Sequence, residues 1–128
     1  MKILDSNFLF GYFVKEDSLH EKCLHEAESL KLSECLVISD VLHEVISIAA
    51  VRHDSAIAIE IGERIFENFQ VYSPKKQERK AIWLEFIKLS PHRFSYADVA
   101  LYFFVKNYGA QLVSFDEALV QKLKQLQL

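Results

Sequence analysis

Short β-type runs alternating with longer helical stretches are the feature that most limits how this chain can fold. Four such runs stand out, Lys2–Leu4, Cys35–Ile38, Phe69–Tyr72 and Gln111–Ser114. Helical patterns fill the gaps, with apolar residues returning every three or four positions. A short apolar helix is expected around Asn7–Val14, then an amphipathic one from about Asp17 to Leu30, striped by Leu19, Cys23, Ala27 and Leu30. Ser39-Asp40 is expected to cap a helix running to about Arg52, and Asp54 or Ser55 to open another through Ile65-Phe66. Ser73-Pro74 reads as a helix start with proline in the first turn, the core face being Ile82, Trp83, Phe86 and Ile87. A helix from Ser95 to Tyr108 closes on Gly109, and a last one follows Phe115-Asp116. The order βααβααβααβα predicts an α/β fold of three layers, helices covering both faces of a central, mainly parallel four-stranded sheet.

The 128 residues suit one domain, residues 1–128, and allow a real hydrophobic core. Three glycines and two prolines leave no room for a glycine-rich phosphate cradle. The N-terminus reaches Asp5 after a short apolar run, so neither a signal peptide nor a membrane span is expected. Cys23 and Cys35 do not make a disulfide framework; two reduced thiols in a cytoplasmic protein are the expectation. A net charge of −3 argues against binding of nucleic acid through bulk positive charge and by itself decides little. Setting aside four carboxylates neutralised by a metal gives −3 + 4 = +1, so the remaining surface is mildly basic.

In open parallel sheets, sites form beyond the carboxyl ends of the strands, where strand order reverses. Asp5 directly follows the first strand and Asp116 closely follows the fourth, though each also suits a helix cap. Glu44 falls at the border of the apolar face formed by Val41, Leu42, Val45, Ile46, Ile48 and Ala49, where a carboxylate needs a partner or a route to solvent. Asp98 interrupts the otherwise apolar stretch Tyr96–Val105; Ser95 and Asp98 also have capping-box spacing. Capping explains these acids one at a time. Gathering them is another matter, because two carboxylates ~4 Å apart repel by about 4 kcal/mol at an effective dielectric of ~20. A cation resolves the conflict, and oxygen ligands without His or Cys select Mg²⁺ or Mn²⁺. Such an ion can activate water and stabilise charge at a phosphodiester.

Taken in order, Ile3–Asn7, Ile38–Val45, Ser95–Ala100 and Leu112–Asp116 resemble the four acidic motifs of PIN-domain ribonucleases over nearly the whole chain. The resemblance implies a divalent-metal endoribonuclease with Asp5, Glu44, Asp98 and Asp116 as catalytic and metal-binding acids. Glu117, beside Asp116, is a substitute or an addition. Ser6, Asn7 and Ser114, with Ser95, are implied to hold carboxylates or water. Family members of this size are often toxins of VapBC-type toxin–antitoxin pairs, which implies an RNA substrate, a small antitoxin partner and a homodimer. The chain stops at Leu128, so a fifth strand found in many relatives is not expected.

No two of the five histidines are three or four residues apart, and neither cysteine has zinc-ligand spacing to another thiol. Lys75, Lys76, Arg79 and Lys80 form the densest basic run, a candidate grip on an RNA backbone or simply a solvated helix face. Arg93 is a further candidate, with Arg52, His53 and His92. Tyr12, Phe13 and Tyr96 suit base stacking, a dimer interface or ordinary core packing. Two other functional classes compete with the nuclease: a non-catalytic PIN-like module binding RNA or protein, and phosphotransfer. Asp5-Ser6-Asn7 lacks the second acid that phosphotransfer enzymes on such sheets require.

Overall fold

The four expected strands pair side by side in a computed structural model that describes residues 1–127. They are β1 (Lys2–Leu4), β2 (Cys35–Ile38), β3 (Gln70–Tyr72) and β4 (Gln111–Val113), all parallel, in the order β3-β2-β1-β4. Ile3 and Leu4 are fully buried in the sheet centre, as are Val37 and Ile38 beside them. This near-continuous apolar composition is what a parallel strand covered on both faces requires.

Seven α-helices flank the sheet: α1 (Ser6–Phe13), α2 (His20–Ala27), α3 (Ser39–Arg52), α4 (Ser55–Asn68), α5 (Lys76–Leu89), α6 (Tyr96–Tyr108) and α7 (Glu117–Gln127). The path β1-β2-β3 moves one way across the sheet, and the return from β3 to β4 passes over to the far side of β1. Right-handed crossovers therefore place the α1–α4 connections and the α5–α6 connection on opposite faces, giving three layers. The same reversal makes the β1/β4 boundary the switch point, so whatever follows those two strands shares one crevice.

Local chemistry explains most boundaries. Asp54 caps α4 by accepting the Ile57 amide at 2.8 Å. Gly109 ends α6 at φ 66°, a left-handed conformation suited to glycine. Gly11 serves close approach instead, since a Cβ there would stand 2.7 Å from Cys23 Sγ and lock α1 away from α2. Both cysteines are free and buried, and burial pushes the Cys23 thiol up to about 11.

Three expectations are corrected. Ser39-Asp40 does not cap α3; the helix starts at Ser39, and Ser39 Oγ and Asp40 Oδ2 are buried without a hydrogen-bond partner. Ser73-Pro74 precedes α5 rather than lying in its first turn, which opens at Lys76. The core face of α5 is also rotated. Ile82 is buried and Phe86 half-buried, whereas Trp83 and Ile87 are 52% and 51% exposed. Glu78 turns the helix, since its buried carboxylate accepts from Lys75 N at 2.8 Å, from the Tyr72 hydroxyl at 2.6 Å and from Tyr108.

Candidate active site

Asp5 lies where β1 runs out, and its backbone N–H still donates to Val113 O of β4 at 3.0 Å. Its side chain then turns into the crevice and caps α1, Oδ1 accepting from Ser6 N at 2.7 Å. Across the crevice the Ser114 hydroxyl donates to Asp5 Oδ2 at 2.7 Å and stands 3.3 Å from Asn7 Oδ1. Asn7 Oδ1 also accepts from Phe115 N at 3.3 Å, so the residues after β1 and those after β4 are tied together. Ser114 Oγ accepts in turn from Asp116 N at 3.0 Å. Ser6 and Ser114 thus hold the Asp5 carboxylate on both oxygens, while Asn7 and Ser114 set the backbone around the fourth acid.

These bonds favour a charged Asp5, yet they do not prevail. The residue is 3% exposed, and burial raises its carboxyl from 3.8 to about 6 against the lowering effect of the Ser114 and Ser6 bonds. The negative charges of Asp98 and Glu44 push it further in the same direction. Asp98 is also raised, first by desolvation and then, against the Ser95 bonds, by Glu44 and Asp116. Charges on separate segments therefore act on one another, Asp98 and Glu44 on Asp5, and Glu44 and Asp116 on Asp98. Perturbed carboxylates of this kind cluster at functional sites, although structural charge networks produce them too.

The supporting geometry is local. Ser95 and Asp98 form a reciprocal capping box, Asp98 N donating to Ser95 Oγ at 3.1 Å and Ser95 N to Asp98 Oδ2 at 3.2 Å. Asp116 caps α7 through Leu119 N at 3.0 Å. Glu44 is half-buried on α3, at the border of the apolar face. Asp116 and Glu117 are exposed, and Glu117 lies in the first turn of α7.

As the side chains stand, no three His, Cys, Asp or Glu groups among the described residues are close enough together to hold one ion. The charges of Asp98 and Glu44 reach Asp5 and those of Glu44 and Asp116 reach Asp98, but caps hold three of the four acids by one or both oxygens. Carboxylates have about four lone-pair sites, so a capping Asp keeps acceptor capacity for a cation. In donor chemistry the set fits a hard divalent ion; as a preformed cage it does not.

The basic candidates are less well placed. Lys75 lines a hollow that reaches Met1 and Gln70, at the amino ends of β1 and β3, opposite the acids. Lys76, Arg79 and Lys80 are exposed, and Arg79 Nε donates to Pro74 O at 2.9 Å. Arg93 is exposed two residues before Ser95, with a left-handed backbone at φ 60°. Tyr12 stacks on Phe8 and meets Phe13 edge-on, while Tyr96 packs against Phe86, so all three are engaged in packing.

Two features escape sequence reasoning. One is Glu78, which lies within the basic run and reads as surface although it is buried. The other is a cleft that brings Asp17, which no motif marks, together with Arg52, which sequence reasoning offers only as a weak backbone contact.

No curated protein matches the chain by sequence. Among solved structures, it is similar to Mycobacterium tuberculosis VapC20, described as a sarcin–ricin loop cleaving toxin. The TM-score is 0.82 at 14% sequence identity, with 95% of each chain covered, a likeness of fold. The sequence model of the family described as PIN domain matches residues 2–124. The chain belongs to the PIN domain family.

Proposed function

We propose that residues 1–128 form one nuclease unit, an endoribonuclease that uses Mg²⁺ or Mn²⁺ to hydrolyse RNA phosphodiester bonds. The observation that carries this reading is Asp5, a nearly inaccessible carboxylate raised to about 6, with the negative charges of Asp98 and Glu44 pushing it in the same direction. Asp5, Glu44, Asp98 and Asp116 would hold the metal, with Glu117 a further candidate at the fourth position. The bound ion supplies charge to polarise the phosphodiester and to favour the ionised form of an attacking water. The chain's own part is positional. Ser114 and Ser6 fix the Asp5 carboxylate, Asn7 fixes the loop after β4, and Ser95 fixes Asp98 at the start of α6. Cation binding would replace the mutual repulsion of the acids with attraction, drawing their free lone pairs inward.

The fold likeness to a VapC toxin supports reading the chain as the toxin of a toxin–antitoxin pair, held inactive in the cytoplasm by a small antitoxin. Exposed apolar side chains, Trp83, Leu84 and Ile87 on α5 with Ile59 and Phe66 on α4, offer surface for that partner and for a homodimer. Among the described residues no helix is long and apolar enough to cross a membrane.

Purified protein should cleave single-stranded RNA with Mg²⁺ or Mn²⁺, stop with EDTA, and lose cleavage in Asp98→Asn by at least about a hundredfold. Unchanged cleavage by that variant would refute the assignment. The absence of a ready-made ion cage favours one alternative, a non-catalytic PIN-like module. That reading gains if Mg²⁺ fails to raise the melting temperature while RNA still binds.

A further inference from the structure

A cleft of about 140 Å³ opens between α1, the turn into α2, and α3. Its walls begin at the acids, because Ser6, next to Asp5, and Val45, next to Glu44, both line it. Phe10, Leu19 and Ile48 supply an apolar lining, and two charged side chains, Asp17 and Arg52, stand among them. Asp17 Oδ2 accepts from Leu19 N at 3.0 Å, which fixes that carboxylate and leaves Oδ1 without a hydrogen bond among the described residues. Asp17 and Arg52 make no ion pair with each other or with any other described residue. Asp17 is half-buried and Arg52 exposed at the rim, and neither charge is cancelled by the other. Here both are left to meet something else.

We propose that this cleft is a nucleobase pocket and that it reads guanine in the substrate strand, an inference that rests on the RNA-cleaving function above. The size suits a single planar ring system, since an apolar cavity of about 150 Å³ takes up benzene and this one is open at its mouth. Flat apolar walls accept the faces of any base, and an aromatic ring such as Phe10 adds stacking. The charged pair selects among bases. Guanine alone has two adjacent donors, N1–H and N2–H, to meet one carboxylate. It also has two adjacent acceptors, O6 and N7, to meet a guanidinium fork. A strand laid across the four acids passes the mouth of the cleft at Ser6, so a neighbouring base can turn in while its phosphate stays over the acids.

The test is binding of fluorescein-labelled oligouridine carrying one guanosine, followed by anisotropy with Ca²⁺ as the oxygen-binding ion. Inosine in place of guanosine removes the N2 amine, and 7-deazaguanosine removes N7. Either replacement should weaken binding to the wild-type chain by about fivefold or more. Asp17→Asn, which keeps the acceptor for Leu19 N, should become indifferent to the inosine replacement alone. Arg52→Ala should become indifferent to the 7-deaza replacement alone. Equal binding of all three oligonucleotides, no measurable binding, or discrimination that survives both substitutions would overturn the proposal; a cleft that receives a peptide of a protein partner gives that result. Cleavage of the same oligonucleotides in Mg²⁺ is read separately. Guanine discrimination through Asp17 and Arg52 without cleavage would leave the pocket standing and reject the nuclease reading.

Discussion

Replacing Asp5 with asparagine should make the protein more stable, not less, at neutral and alkaline pH without divalent ions. The reason is the raised carboxyl. Below pH ~4 Asp5 is neutral in both the folded and the unfolded chain, and the folded state carries no penalty. Between 3.8 and about 6 the unfolded chain loses its proton while the folded chain keeps it, so stability falls as pH rises. Above about 6 the folded carboxylate is charged and buried, and the full penalty is present. The interval from 3.8 to about 6, at ~1.36 kcal/mol per pH unit, amounts to about 3 kcal/mol. Asparagine keeps the shape and the acceptor for Ser6 N, and its amide can donate to Ser114 Oγ, whose own proton then faces Asn7 Oδ1 at 3.3 Å. Allowing for weaker hydrogen bonds to a neutral group, the expected gain is about 1–3 kcal/mol at pH 8. Urea unfolding of both proteins in EDTA, from pH 4 to pH 8, measures it. The gain should shrink toward zero at pH 4. Adding Mg²⁺ at about a hundred times its dissociation constant should restore about 2.7 kcal/mol to the wild-type protein and little to Asp5→Asn. If the variant is no more stable at pH 8, or keeps its advantage at pH 4, then burial does not govern Asp5 and no buried charge awaits a cation.

Other substitutions test the supports around that group. Ser114→Ala removes the hydroxyl that lowers Asp5, so the acid limb of the cleavage rate should move to higher pH, which a pH–rate profile on single-stranded RNA would show. Gly11→Ala should destabilise by about 1–3 kcal/mol through overpacking against Cys23, and Cys23→Ala added to it should recover much of the loss, both read by chemical denaturation. In Glu78→Gln, Tyr72, now held up at about 12 chiefly by its bond to Glu78, should ionise at lower pH, visible in the tyrosinate absorbance.

The α/β alternation was legible because parallel strands covered on both faces are short apolar runs, and the helices between them keep their period. The acids were legible for a related reason. Asp98 is a lone charge in the apolar stretch Tyr96–Val105, and Asp5 and Asp116 follow strands that the topology places side by side. The rotation of α5 was not. Ala81, Ile82, Trp83, Leu84, Phe86, Ile87 and Leu89 make that helix apolar nearly all round, so periodicity cannot select a face. A single carboxylate selects it, Glu78, drawn inward by tyrosines from β3 and α6 that are 6 residues before it and 30 after it. Long-range partners of this kind leave no local trace, and the same holds for the meeting of Asp17 with Arg52 in one cleft.

Capping and cation binding compete as explanations of an acid only while each acid is considered alone. Ser95–Asp98 is a complete capping box and Asp116 caps α7, so local roles account fully for their bonded oxygens. They do not account for Asp5. An asparagine would also cap α1 and meet Ser114, without the penalty that burial imposes on a carboxylate beside the negative charges of Asp98 and Glu44. A group that makes the folded state less stable at neutral pH than its uncharged isostere needs a compensating interaction outside the chain. A divalent cation supplies one, and by neutralising the crevice it also lets a phosphodiester approach surfaces that would otherwise repel it.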